Sequence, residues 1–100
     1  MAETATLDEL TATPHARPFG AGEPMVIRLA LEADEQVDPH RHPDREIVLY
    51  LLSGRLELSL DADRHELAAG AVVRFDGKRE VSPRALEDSE ALLVLAKRAD

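Results

Sequence analysis

Two histidines and a glutamate make the densest patch of reactive side chains in this sequence. They lie in the segment Asp38-Pro39-His40-Arg41-His42-Pro43-Asp44-Arg45-Glu46. Alternate residues of an extended backbone share a face, so His40 and His42 point the same way. Two imidazoles side by side can reach one metal ion. The carboxylate of Glu46, after a short kink, can reach the same point. Imidazole with carboxylate suits a divalent transition ion such as Fe, Mn, Ni, Cu or Zn. Three protein donors would leave coordination positions open for water or substrate. Taken alone, two histidines in a polar loop are ordinary exposed residues. Their weight comes from the segment they lead into.

That segment, Ile47-Val48-Leu49-Tyr50-Leu51-Leu52, is a continuous apolar run stopped by Ser53-Gly54. Its β-branched start and short length predict a strand buried on both faces. Upstream, Met25, Ile27, Leu29 and Leu31 alternate with Val26, Arg28, Ala30 and Glu32, a strand with one buried face. Ala33 to Pro39 reads as a connection. Downstream, Leu56, Leu58 and Leu60 alternate with Glu57 and Ser59. Asp61 to Arg64 has the composition of a hairpin loop, and His65 to Leu67 returns. Gly70 marks a turn before the strand Ala71 to Phe75. Asp76-Gly77 is a further turn signal. Arg79 to Arg84 is extended, with Pro83 placing it at an edge or a bulge. Ala91 to Ala96 closes with a last apolar strand. Six or seven short strands without a helix predict an all-β sandwich or barrel. Residues 1–24, broken by Pro14, Pro18, Gly20, Gly22 and Pro24, read as an arm packed along the domain or against a partner subunit. Residues 25–100 form the domain.

Composition narrows the partners. A chain of 100 residues with 44% hydrophobic content supports one domain with one core. Aromatic residues are Phe19, Phe75 and Tyr50, so the core must come from Leu, Val, Ile and Ala. Twelve basic against 20 acidic side chains leave a formal charge of −8, which repels nucleic acid and anionic membrane surfaces. There is no cysteine, which excludes disulfides, thiolate metal sites and cysteine nucleophiles. The acidic start has no signal-peptide pattern, and no apolar run approaches a membrane span; the expectation is a cytoplasmic protein. No Ser-His-Asp set, phosphate loop or zinc-protease signature is present.

At the His40 segment the sequence resembles the cupin superfamily. The family's first motif is a Gly, five residues, His-x-His, three or four residues, Glu, about six residues, then Gly. His40-Arg41-His42, Glu46 and Gly54 match it, with Asp34 at the upstream Gly position. Seven residues separate Glu46 from Gly54, one more than the commonest form and the same as in pirin-like members. The resemblance implies a jelly-roll barrel, a double-stranded β-helix, with His40, His42 and Glu46 as metal ligands inside it. The second motif runs Gly, five residues, Pro-x-Gly, two residues, His, three residues, Asn. Counting from Gly70, its His position falls on Val81 and its Asn position on Ala85. Taking Gly77 as the motif's second Gly moves the His position to Glu80. The stretch Ala85 to Ser89 favours Val81, so three of the family's four ligands are expected.

Other candidates carry simpler readings. His65 is expected on an exposed hairpin, and His15 on the exposed arm unless the arm folds over the barrel mouth. Tyr50 shares parity with Glu46 and reads as a core tyrosine, with a pocket-facing hydroxyl as the alternative. Arg74 is either a pocket cation or the solvent side of its strand. Asp61, Asp63, Glu87 and Asp88 are turn residues. Two functions remain: a binding or sensing module for a small molecule, with metal optional, or a metal-dependent dioxygenase or isomerase of a small polar organic substrate. The apolar runs 47–52 and 92–95 are more than a small barrel can hide, which points to a homodimer.

Overall fold

The computed structural model describes residues 2–98, which form strands with no α-helix. One 3-10 turn covers Leu7–Glu9. Eight strands follow: β1 (His15–Ala16), β2 (Met25–Leu31), β3 (Arg45–Ser53), β4 (Arg55–Leu60), β5 (Asp63–Ala68), β6 (Val72–Asp76), β7 (Val81–Ala85) and β8 (Ser89–Lys97). The larger sheet runs β1-β2-β8-β3-β6 and the smaller β5-β4-β7, all pairs antiparallel. Bridges Gln36–Arg84 and His40–Val81 lay the connection 36–40 along the free side of β7. Two sheets facing each other across one core make the expected jelly roll. Among the described residues, no helix is long and apolar enough to cross a membrane.

Period-two alternation decides what faces inward. Arg45, Ile47, Leu49 and Leu51 of β3 are buried, as are Leu56, Leu58 and Leu60 of β4 and Ala91 and Leu95 of β8. The core is mostly leucine, with Phe75 as its one aromatic residue. Burial of β3 on both faces does not occur within this chain. Val48 and Leu52 are only half-buried, and Tyr50 is 40% exposed. Hydrogen bonding on both edges makes β3 central in its sheet, but the smaller sheet covers one face only.

The arm packs along its own domain. Arg28 lies on the outer face of β2, in register with Leu92, yet is buried. Its guanidinium donates to the Leu7 and Ala12 carbonyls at 3.3 and 3.2 Å and to Glu90 Oε2 at 2.9 Å. The arm's backbone thus supplies the acceptors that burial of the charge requires. This strap carries β1 to the edge of β2, where His15 opposes Leu29.

Two turns explain the spacing of the motif. Gly54 has φ +87°, and a Cβ there would enter the backbone of Asp88 and Ser89, so only glycine fits. Asp34, at the motif's upstream Gly position, also has a positive φ, 71°. Aspartate is among the few residues that tolerate this region. The hairpin turn is tighter than its composition suggested: β5 already begins at Asp63, paired with Leu60, and Asp61 turns the chain at φ 53°. The Asp61 carboxylate ties this turn to the β6–β7 turn by accepting from Glu80 N and Arg79 Nε, both at 3.0 Å. Pro83 sits in β7 beside the connection, where its carbonyl accepts from Val37 N at 2.9 Å.

Candidate functional site

Between the sheets lies a cavity of about 280 Å³. Its walls are apolar: Ile27, Leu29, Ile47, Leu49, Phe75, Leu93 and Leu95 from the larger sheet, Leu58, Val81 and Pro83 from the smaller, and Val37 from the connection. Among the described residues, three histidines, His15, His40 and His42, are the only polar ones that line it. They are also less buried than the core residues behind them, so they form the mouth.

Each histidine is set by backbone. His40 exchanges hydrogen bonds with Val81 across the connection, at 3.1 and 2.9 Å. Its Nδ1 lies 2.8 Å from the Asp38 carbonyl. A carbonyl only accepts, so Nδ1 carries the proton in the neutral ring and Nε2 keeps a bare lone pair. His42 N donates to Gly77 O at 2.8 Å, and the His42 carbonyl accepts from Arg45 N at 3.0 Å. Gly77 N donates back to Arg45 O at 2.9 Å. The turn 42–45 is therefore docked on the β6–β7 turn with no room for a Cβ at Gly77, which would stand 2.7 Å from the Arg45 carbonyl oxygen. The rings of His40 and His42 meet edge to face, with centroids 4.9 Å apart. His15 comes from the arm, reaching the inner face through its pairing with Leu29. Burial holds the imidazoles of His15 and His42 below their ordinary range, and repulsion from His40 adds to it.

Glu46 is not among them. It has the parity of Val48 and Tyr50 and faces outward, opposite Asp76 on β6. Arg98 Nη1 holds its carboxylate at 3.1 Å, and Arg74 Nε lies at 3.8 Å. Counting back the commoner six residues from Gly54 lands on Ile47, which does line the cavity. The extra residue between Glu46 and Gly54 slips the carboxylate by one position, and in a strand one position means the opposite face. The other inward side chain at this end is Arg45. It is taken up by Glu23, whose carboxyl it holds below its usual range, and by the Leu95 carbonyl at 3.0 Å.

On the opposite wall, Val81 lines the cavity, as the uninterrupted count from Gly70 expected. Glu80 is exposed, 3.8 Å from Arg41. The family's four-donor metal set therefore does not fit these side chains: Ile47 and Val81 stand where a carboxylate and an imidazole would. Among the described residues, no group of three His, Cys, Asp or Glu is placed to hold an ion. Tyr50 is neither a core nor a pocket residue: its strand parity turns it to the outer face, where it is 40% exposed. His65 is exposed on β5, Arg74 lies on the solvent side of its strand, and Asp88 caps a turn by accepting from Ala33 N at 2.9 Å, as their simpler readings expected. Glu87, too, is exposed beside that turn. His15, expected on the exposed arm unless the arm folds over the barrel mouth, lines the cavity by that second route. Its own neighbours carry no signal, because its position depends on a register with β2 and on the Arg28 strap.

Similarity to known proteins agrees with this fold. A cupin domain profile matches residues 27–96. No curated protein matches the chain. Among solved structures, KdgF from a Halomonas species superposes with a TM-score of 0.81 at 20% identity, covering 100% of this chain and 97% of that one. An RmlC-like cupin from Desulfovibrio desulfuricans gives 0.79 at 17% identity, with 96% and 97% covered. A conserved protein of unknown function from Streptococcus pyogenes gives 0.68 at 22% identity; the match covers 76% of this chain and 66% of that one. Identities this low speak for fold and not for activity. With the profile spanning both sheets and the histidine-rimmed cavity between them, the chain belongs to the cupin domain family.

Proposed function

We propose that this domain is a binding or sensing module for a small, largely apolar molecule, and that its cavity works without a metal. The observation that carries this reading is the pair Ile47 and Val81, apolar side chains that line the cavity where the family's carboxylate and third imidazole would stand. Burying apolar ligand surface against such walls contributes roughly 25 cal/mol per Å². At about 280 Å³ the space lies near the lower end of the ~300–1,000 Å³ range of small-molecule sites. It suits a single ring or a short chain.

The test is a titration with p-xylene, an apolar single ring, followed by NMR in the presence of EDTA. Shifts should concentrate at Ile27, Leu49, Leu58 and Phe75 and be the same without EDTA. Filling the space with Leu58→Trp should abolish them. Binding that appears only after a divalent ion is added would contradict the proposal. It would favour the second reading, a metal-dependent dioxygenase or isomerase, which draws support from the 4.9 Å separation of the His40 and His42 rings.

The partner surface belongs to the same proposal. The outer face of the larger sheet sets Val26, Val94 and Val48 side by side across three strands, with Tyr50 beside Val72. Val72 is 63% exposed. A second copy of this chain would cover that face and complete the burial that the apolar run 47–52 predicts.

A further inference from the structure

We propose that the mouth of the cavity selects a molecule with an apolar body and one hydroxyl group, with single-ring phenols as the chemical class. This rests on the cavity being a small-molecule site and goes further by naming the polar group.

His40 supplies the acceptor. Its Nδ1–H is committed to the Asp38 carbonyl at 2.8 Å, so Nε2 is a hydrogen-bond acceptor in the neutral ring. Nε2 has no hydrogen-bond partner among the described residues. The residue is held in place by its two backbone bonds to Val81. The mouth thus presents a fixed acceptor next to an apolar chamber. His42 stands beside it with centroids 4.9 Å apart, and no residue of the described chain constrains its tautomer by a hydrogen bond. A neutral imidazole always carries one N–H, so His42 supplies a donor.

A hydroxyl answers both groups at once, since it donates to His40 Nε2 and accepts from His42. A carboxylate has no proton to donate and would leave the His40 lone pair facing negative charge. The nearby guanidinium that could attract it, Arg45, is already paired with Glu23. An apolar ligand would leave both imidazole groups without a partner. The walls accept the rest of a phenol, because Phe75, Ile47 and Leu49 offer no polar atom that a ring would strand.

The experiment compares three molecules of one shape by isothermal titration: p-cresol, p-xylene and p-toluate. The proposal expects p-cresol to bind about three- to tenfold more tightly than p-xylene, the size of one net hydrogen bond, and p-toluate to bind most weakly. His40→Phe keeps a ring at the mouth and removes the acceptor. It should erase the advantage of p-cresol over p-xylene when both are measured on the variant, and a circular dichroism spectrum like the parent's shows that the variant folds. Equal binding of p-cresol and p-xylene, or tightest binding of p-toluate, would overturn the hydroxyl preference while leaving the apolar cavity standing. Failure of all three to bind would remove the cavity reading itself, and this inference with it. As an independent check, ¹⁵N shifts of the free protein should show His40 protonated at Nδ1; protonation at Nε2 alone would also overturn it.

Discussion

At the scale of single residues, the histidines and the glycine beneath them carry the account. The imidazoles of His15 and His42 are held below their ordinary range by burial and by His40. The unfolded chain therefore takes up protons there first, near pH 6.5, and stability falls as the pH drops through and below about 6.5. Above neutrality both states are uncharged at these rings and they contribute nothing. A His15→Gln/His42→Gln double variant should flatten the denaturation midpoint between about pH 5 and 6.5, measured in urea. A separate loss should follow below about pH 4.5 as Glu23 and Asp61, whose folded carboxyls are held low by Arg45 and by the Glu80 amide with Arg79, take up protons. Gly77→Ala should cost about 2 kcal/mol or more, because the clash is with backbone and has no side chain to yield. Asp34→Gly should be neutral or stabilise by up to about 1 kcal/mol, since glycine relieves the positive φ. His40 and His42 were legible from the sequence because their spacing puts them on one face and they lead into the apolar run that ends at Gly54. The place of His15 was not, since the contacts that set it are remote in the chain.

Elements decide what those residues can do, and here one residue of register matters most. The apolar run and the Gly54 stop marked β3 correctly, but strand and carboxylate were read with the wrong parity between them. A continuous apolar run carries no inward parity of its own; in the fold Ile47, Leu49 and Leu51 point inward, so Glu46 faces away. The competing cue was the motif's interval from His42 to Glu46 across a short kink; the turn at 42–45 resets the direction of the chain so that this interval ends on the outer face. A direct consequence can be measured. Ile47→Glu with Val81→His restores an inward carboxylate and a third imidazole, and should raise zinc uptake to about one ion per chain, read by equilibrium dialysis against each single variant. If Glu46 were in truth the inward residue, Glu46→Ala would abolish ion binding by the redesigned protein; on this structure it should leave it unchanged. The arm behaves as an element too. Arg28→Met should remove the strap, and amide exchange should quicken from Leu7 to Ala16 while β3 and β8 stay protected.

For the whole molecule, strand rhythm and turn residues were enough to predict an all-β sandwich or barrel, since each half-buried strand states which face is inside, and the resemblance of the His40 motif narrowed it to the jelly roll. What they could not state is how many layers cover a sheet. The run 47–52 is apolar on both faces, yet one chain covers only the inner one; in the dimer proposed above, a second copy covers the outer face with Val48, Val94 and Val26. Val48→Lys/Val94→Lys should leave the fold intact by circular dichroism and shift a dimer to a monomer by light scattering at micromolar concentration. The cavity is likewise a property of the whole, because its walls come from both sheets and its mouth from the connection and the arm. The central claim is that these walls make a binding chamber in which a metal has no complete set of donors. Elemental analysis of protein purified without an affinity tag, beside its His40→Ala/His42→Ala variant, tests this most directly. The account predicts the same negligible metal content in both. One ion per chain in the parent, lost in the double variant, would contradict it.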